Sequence, residues 1–350
     1  MRVQVGVLCV ACLAACGSTR ALETSEPSTA PTPAATSSGG YDLHEWGLLS
    51  VRDGSVELAA GPGRPQLRPD MGITVDKPIV YVHNSQPTRF SLRVAVGAGY
   101  ELAERWPGEG APIVWEVAAE PGACTSQTPY PSSCRSADGY CEVRELAGYE
   151  AADSSCLQVG DAHASLLFYR LRAADPAVTG RLPVQVEAGR VRASAARTAW
   201  RVQIDEGGVA HAQRVELSAA GTDLGATPTG SVEEAAAWAH GELARLGMTP
   251  AERGAFERAW WSSLFHLDAG AADEDGVSDM PVLPTADVLP VADETSLDRL
   301  STDGRFGADA SSDVLLYFLS DAEIDAIARL EATPAPRQVH RAFLVRQALR

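Results

Sequence analysis

The chain has 350 residues, a formal net charge of −17 and 45% apolar residues, which fits a soluble globular protein with one or two domains. This excess of acidic groups disfavours nucleic acid as a partner, and anionic lipid headgroups would repel it. Any attachment to a membrane must therefore come from something other than a basic surface.

The first 15 residues have the pattern of an export signal. Arg2 gives a positive start, and the apolar run over 3–13 is too short for a membrane-spanning helix, which needs about 20 residues. The run ends in Leu13-Ala14-Ala15-Cys16, which resembles the lipobox of bacterial lipoproteins. In that family the chain is cut before the cysteine, whose thiol receives diacylglycerol. The resemblance implies a signal peptide over 1–15 and a lipid on Cys16, unless the segment is an ordinary signal peptide that is cut elsewhere.

A lipid on Cys16 would make the membrane a partner of this chain, because two or three acyl chains give stable anchoring. Gly17, and not aspartate, follows the cysteine, and in lipoproteins of Gram-negative bacteria this favours the outer membrane over the inner one. Residues 16–40 are rich in Ser, Thr, Pro, Ala and Gly. We expect them to form a disordered tether that holds the folded part away from the bilayer.

Strand patterns dominate residues 41–222, which we interpret as a β-rich domain. Apolar and polar residues alternate over 88–96, as in a half-buried strand. Alternation on both sides of turn residues predicts two hairpins, over 183–195 and 198–217. The short apolar runs "PIVYVHN" and "SLLFYRLR" predict inner strands. Since helical crossovers are missing from this region, an antiparallel sandwich is the expected architecture.

The four cysteines that remain after Cys16, which would carry the lipid, predict disulfides. Their spacing lacks the Cys-x-x-Cys pair of zinc ribbons and thioredoxin-like sites, and an even count in an exported chain indicates two bonds. Three pairings are open, and we favour the one that closes consecutive loops, Cys124–Cys134 with Cys141–Cys156. All four lie in the insert 121–160, which is rich in Pro, Ser and Gly and has little core of its own. We expect this insert at the edge of the sandwich.

The pattern becomes helical in residues 223–350. Ser231 and Glu234 indicate a capped first helix, and Thr249-Pro250-Ala251-Glu252 begins a second helix with an apolar stripe that includes Trp260. Residues 268–313 hold 12 acidic residues and two arginines, which predicts a long acidic loop. A short helix over 321–331 and a final strand follow. We therefore predict an α+β protein: a mainly antiparallel, β-sandwich-like body with a C-terminal helical hairpin and a long acidic loop.

No motif in the chain identifies a reaction. His44-Glu45 begins the zinc motif His-Glu-x-x-His, but position 48 is leucine, and on a strand the two side chains point to opposite faces. We expect the segment 44–47 to be structural, with Trp46 or His44 packed inward and Gly47 admitting a neighbour. If the protein is an enzyme, the candidate catalytic residues are His44, Glu45, Glu104 and Arg170.

We predict neither a metal site nor a cofactor. His240-Gly241-Glu242 begins the zinc deaminase pattern, but its Pro-Cys-x-x-Cys partner is missing from the sequence, as are glycine-rich nucleotide motifs. The EF-hand register around Gly276 places alanine and valine at key ligand positions, so only weak calcium binding by the acidic loop stays open. The remaining histidines show no metal spacing: His83, His163, His211, His266 and His340.

Several short motifs occur in the order found in a family of uncharacterised exported bacterial proteins, which this chain resembles. They are His44-Glu45-Trp46-Gly47, Lys77-Pro78-Ile79-Val80-Tyr81 and Leu167-Phe168-Tyr169-Arg170, followed by Trp260-Trp261 and Leu315-Leu316-Tyr317. The family's Glu-Trp-Tyr-Pro motif has become Glu104-Arg105-Trp106-Pro107, which would alter any site that it lines. The resemblance spans most of residues 42–346 and implies fold and export, but it implies no reaction.

Two functions follow as hypotheses. The first is a lipid-anchored envelope protein that acts as a non-catalytic structural or binding module, with an envelope protein or a glycan as its partner. The second is an envelope hydrolase with a cleft between the β body and the helical hairpin. Convergence of His44, Glu45, Glu104 and Arg170 in one pocket would favour the hydrolase, and their separation would favour the module.

Overall fold

The computed structural model describes residues 40–51, 73–129, 149–187, 189–205, 208–265 and 313–349. The segments predicted as signal peptide and tether, up to residue 39, and as acidic loop, up to residue 312, lie outside these ranges. None of the helices in the described ranges combines the length and the apolar character needed to cross a membrane.

Sixteen strands and three α-helices make up the described part of the chain, together with a 3-10 helix at Pro176–Arg181. The strands before this short helix are β1 (Tyr41–Val51), β2 (Ile73–Asn84), β3 (Thr88–Val96), β4 (Tyr100–Trp106), β5 (Ile113–Glu120), β6 (Cys156–Val159), β7 (Ala162–Ala164) and β8 (Leu167–Ala173). The later strands are β9 (Val184–Glu187), β10 (Arg190–Ala193), β11 (Arg197–Ile204), β12 (Ala210–Leu217), β13 (Thr222–Asp223), β14 (Asp313–Phe318), β15 (Ala328–Thr333) and β16 (Gln338–Ala348). The helices are α1 (Val232–Arg245), α2 (Pro250–Phe265) and α3 (Asp321–Ile327).

An eight-stranded sheet organises the fold, in the order β12-β11-β14-β16-β1-β2-β8-β4. A five-stranded sheet, β15-β3-β5-β6-β7, and a three-stranded sheet, β13-β10-β9, complete the β structure. The strand pairs are antiparallel except for β1 with β16, which run parallel at the centre of the large sheet. The predicted α+β class with a mainly antiparallel, sandwich-like body is confirmed.

Both faces of the eight-stranded sheet are covered. One face contributes Leu43 and Tyr169 to a core shared with Phe90 and Trp115 of the five-stranded sheet. The other face packs against the hairpin of α1 and α2. This explains why β1 is buried along nearly its whole length rather than on one side only.

The aromatic side chains on the helix side cluster around Trp46. The Trp46 ring lies 5.2 Å from the Phe256 ring of α2 in an edge-to-face arrangement, and Trp260 is buried in the same cluster. Gly47 lies against the ring of Phe343, which would be 3.0 Å from an added Cβ atom. Gly47 therefore admits the neighbour that the sequence anticipated.

Residues on both sides of position 222 build the large sheet, because β14 and β16 lie between β11 and β1. The whole segment Ser37–Arg350 clusters as one unit.

The predicted helix over 321–331 is wrong in its second half. It ends at Ile327, and the chain continues as β15, since Ala328–Thr333 finds backbone partners on the edge strand β3.

The insert 121–160 is partly integrated into the five-stranded sheet through β6, and residues 130–148 lie outside the described ranges. Cys124 is bonded to Cys156. The favoured pairing of Cys124 with Cys134 and of Cys141 with Cys156 is therefore wrong. Pairing of β5 with β6 brings Cys156 beside Glu120, four residues before Cys124, and sequence spacing does not reveal this register.

Candidate functional site

The four candidate catalytic residues take part in three different polar contacts. His44 and Glu45 point to opposite faces of β1, as the strand geometry required. Glu104 and Arg170 form an ion pair of 2.7 Å between the neighbouring strands β4 and β8, at one edge of the large sheet.

Glu45 belongs to a buried ionic network on the sandwich side of the sheet. The parallel register places it beside Arg341 of β16, whose Nε donates to the Glu45 carboxylate at 2.6 Å. The Tyr169 hydroxyl donates to the other carboxylate oxygen at 2.7 Å, and Asp325 of α3 accepts a further hydrogen bond from Arg341 at 2.7 Å. Burial and the adjacent Glu45 charge hold the pKa of Tyr169 well above its usual value. Both carboxylate oxygens of Glu45 accept hydrogen bonds. The network links β1 with β8 and β16 directly, and with α3 through Arg341 and Asp325.

The altered motif at residues 104–107 organises a loop. Arg105 donates hydrogen bonds of 2.9 Å to the backbone carbonyls of Glu109, Pro112 and Val114, while Trp106 is buried on the helix side of the sheet. The arginine therefore holds the connection between β4 and β5.

His44 meets two residues that the sequence did not connect with it. Its Nδ1 atom lies 2.9 Å from Oε2 of Glu252, and Nε2 of His83 lies 2.8 Å from Oε1 of the same carboxylate. The two imidazole rings are also in contact, with centroids 4.4 Å apart. The three ligand-type atoms all lie within 4.8 Å of one another. We call this group the His-His-Glu cluster.

Three elements bring the His-His-Glu cluster together. In the antiparallel ladder of β1 and β2, His44 faces Tyr81 and Asp42 faces His83, so the two histidines are diagonal neighbours on one face of the sheet. Glu252 reaches them from the first turn of α2. Its position is fixed by a capping box, in which its backbone N–H donates to Oγ1 of Thr249 and its Oε2 accepts from the Thr249 N–H at 2.7 Å.

Glu252 is a fully buried carboxylate that stays ionised. Burial alone would raise its pKa, but the hydrogen bonds from His44 and His83 outweigh this effect and lower the pKa to about 2. For His83 burial has the opposite direction, since it lowers the pKa of an imidazole. The hydrogen bond to Glu252 outweighs this effect, and the pKa of His83 lies above the usual value. The negative charge of the Glu252 carboxylate is thus stabilised mainly by the two imidazole groups.

His340 packs against the edge of the cluster. Its ring lies 4.7 Å from the His44 ring in an edge-to-face contact, and its Nε2 is 2.9 Å from the side-chain oxygen of Gln338. Gly247, in the connection between α1 and α2, has a φ of +90°, and an added Cβ would lie 2.1 Å from the His340 ring. Only glycine permits this close approach of the helical connection to the ring.

Sequence reasoning assigned no role to His83 and expected no metal ligand, so it missed this cluster. The capping box placed Glu252 correctly at the start of α2, and the strand pattern placed His44 and His83. Nothing in the sequence indicated that these residues meet, because Glu252 lies 169 positions from His83 and 208 positions from His44.

A surface depression of about 460 Å³ lies on the five-stranded sheet, with Arg89, Glu116 and Gln158 in its lining. Neither the candidate catalytic residues nor the His-His-Glu cluster line it. The residues proposed for weak calcium binding lie outside the described ranges, except for Asp313, which accepts hydrogen bonds from Arg201.

No family model, no curated protein and no solved structure matches this chain.

Proposed function

We propose that this protein is a lipid-anchored module of the bacterial cell envelope that binds or organises other envelope components, without catalysing a reaction of its own. The observation that carries the non-catalytic part is the separate use of the candidate residues. Glu45 is held by Arg341 and Tyr169 on the sandwich side, whereas His44 lies on the helix side and contacts Glu252. A partner protein or glycan of the envelope is the expected ligand.

Two observations support export and anchoring. Leu13-Ala14-Ala15-Cys16 follows a short apolar run, as in lipoprotein signals. The Cys124–Cys156 disulfide fits an oxidising compartment, since stable disulfides are rare in reducing cytosol. The outer membrane remains the favoured location because Gly17 follows the cysteine.

The anchoring part is tested by detergent phase separation of the wild type, Cys16→Ala and Cys12→Ala. Cys12 is the matched control, because it is a cysteine of the same segment that lies before the expected cleavage site. The wild type and Cys12→Ala should enter the detergent phase, and Cys16→Ala should stay in the aqueous phase. Equal partitioning of all three proteins would contradict the lipid anchor.

An envelope hydrolase is the second candidate, and one observation favours it. The His-His-Glu cluster lies where the first turn of α2 meets the large sheet, which is the junction of the β body and the helical hairpin. Purified protein should be assayed with ester, peptide and glycan substrates beside His83→Ala. Turnover by the wild type that is lost in His83→Ala would support the hydrolase hypothesis and contradict the non-catalytic module.

A further inference from the structure

We propose that His44, His83 and Glu252 form a binding site for a divalent transition-metal ion of the zinc type. Two imidazole nitrogens and a carboxylate oxygen form one of the common ligand sets of zinc. The three atoms come from β1, β2 and α2 and already lie within 4.8 Å of one another. The proposal goes beyond the envelope module, because it concerns a ligand that the module hypothesis does not require.

The distances leave little rearrangement for metal binding. His44 Nδ1 and His83 Nε2 lie 2.9 and 2.8 Å from the two Glu252 oxygens. Zinc binds imidazole nitrogen at about 2.0–2.1 Å, so two ligand atoms of a tetrahedral site are about 3.3 Å apart. These two nitrogen–oxygen separations would have to grow by a few tenths of an ångström, and the two nitrogens, which lie within 4.8 Å of each other, would have to stand about 3.3 Å apart. Each nitrogen that now donates to the carboxylate would have to free its lone pair for the ion. A neutral imidazole would do so by carrying its proton on the other ring nitrogen, and a protonated imidazole by releasing one proton to solvent.

The charge around Glu252 suits a cation. Glu45 and Glu252 are both fully buried, but Glu45 has the guanidinium of Arg341 as its counter-charge. Within the described part of the chain, the ion-pair partners of Glu252 are the two histidines, which are charged only when protonated. A divalent ion would supply the positive charge that an arginine supplies to Glu45.

Neighbouring groups hold two of the three ligands in place. The Thr249 N–H fixes Oε2 of Glu252, and the His340 ring packs against His44. Such supporting contacts orient metal ligands and are a regular part of metal sites. They also distinguish the cluster from a chance meeting of flexible surface side chains, because His44 and Glu252 are both buried.

The ligand types select the ion. Imidazole suits zinc and its transition-metal neighbours, whereas calcium and magnesium prefer sites made of oxygen. Three protein ligands leave a fourth position of a tetrahedral ion for water or another ligand. The His83 side chain is 19% exposed, so solvent reaches the cluster from this side.

The test begins with the purified full-length chain after removal of metals by a chelator. Titration with Zn²⁺ should show one ion per chain, and Mg²⁺ or Ca²⁺ in equal concentration should not compete. His83→Ala and Glu252→Gln should each weaken zinc binding by about 100-fold or more, as expected when a ligand and not only its support is lost. His240→Ala is the matched control, because His240 also contacts a glutamate, Glu257, but belongs to no such three-ligand group in the described ranges.

Two further measurements test the zinc site independently of the alanine variant. His83→Gln keeps a hydrogen-bonding side chain beside Glu252 but lacks the imidazole, so it should fold and still lose zinc. In the wild type, zinc should protect His83, but not His240, from modification by diethyl pyrocarbonate, as read by peptide mass spectrometry. The proposal is overturned if the stripped wild type takes up no Zn²⁺ or Co²⁺, if folded His83→Gln binds zinc like the wild type, or if zinc leaves His83 unprotected.

Discussion

The buried ion pair of Glu45 and Arg341 offers a direct test of how this fold is held together. Replacing Glu45 by glutamine keeps the shape of the side chain and removes its charge. The Glu45 side chain is fully buried and that of Arg341 is 5% exposed, with 2.6 Å between the charged atoms. The substitution therefore leaves a guanidinium in the core with its principal counter-charge gone.

The expected cost follows from burial. Removing one partner of a buried ion pair destabilises proteins by about 3–5 kcal/mol. Asp325 still accepts a hydrogen bond from Arg341, and glutamine can still accept one from Tyr169, so we expect about 3 kcal/mol. At about 2.1 cal/mol/K of unfolding entropy per residue, a chain of roughly 300–350 residues shifts by about 1.5 °C per kcal/mol, so the midpoint of thermal unfolding should fall by about 4–5 °C.

Asp42→Asn is the matched control on the same strand. Asp42 pairs with Arg337 at 2.7 Å, but the side chain of Arg337 is 49% exposed and that of Asp42 is 19% exposed. Breaking such an exposed pair costs about 1 kcal/mol or less. Both variants should be followed by circular dichroism and by urea denaturation. Equal small losses in the two variants would refute the reasoning that burial makes the Glu45 pair important.

Three further predictions rest on other contacts. Trp46→Ala should lower the free energy of unfolding by about 3–5 kcal/mol in denaturant titration, because the indole is fully buried, and an unchanged midpoint would contradict a structural role of the segment 44–47. Gly247→Ala should lower the thermal midpoint clearly, since the added methyl group meets the His340 ring, and a double variant with His340→Ala should recover part of the loss. A non-reducing digest should contain one linked species that joins the Cys124 and Cys156 peptides, and a Cys124–Cys134 species would contradict the structure.

Local patterns were sufficient for several elements of this protein. The alternation in β3 and the hairpins β9–β10 and β11–β12 follow from period-two hydrophobicity, which depends on neighbouring residues alone. The start of α2 was readable for the same reason, since a capping box involves residues three apart. The prediction that His44 and Glu45 point to opposite faces also held, because it is a property of any strand.

The partners of these residues could not be derived in the same way. The sequence placed no arginine beside Glu45, because the parallel pairing of β1 with β16 joins residues almost 300 positions apart. The helix expected over 321–331 ended early, because its second half pairs with β3. In both cases a contact distant in sequence decided the outcome.

The sequence by itself determined the α+β class, the helical hairpin, the strands with clear alternation and the features that predict export and lipidation. Only the tertiary structure decided that both faces of β1 are covered, that Cys124 joins Cys156, and that His44, His83 and Glu252 meet. The physical reason is that hydrophobic periodicity and capping act within a few residues. Sheet order and helix docking depend on which distant surfaces bury each other, and single residues such as His83 carry no local mark of that choice.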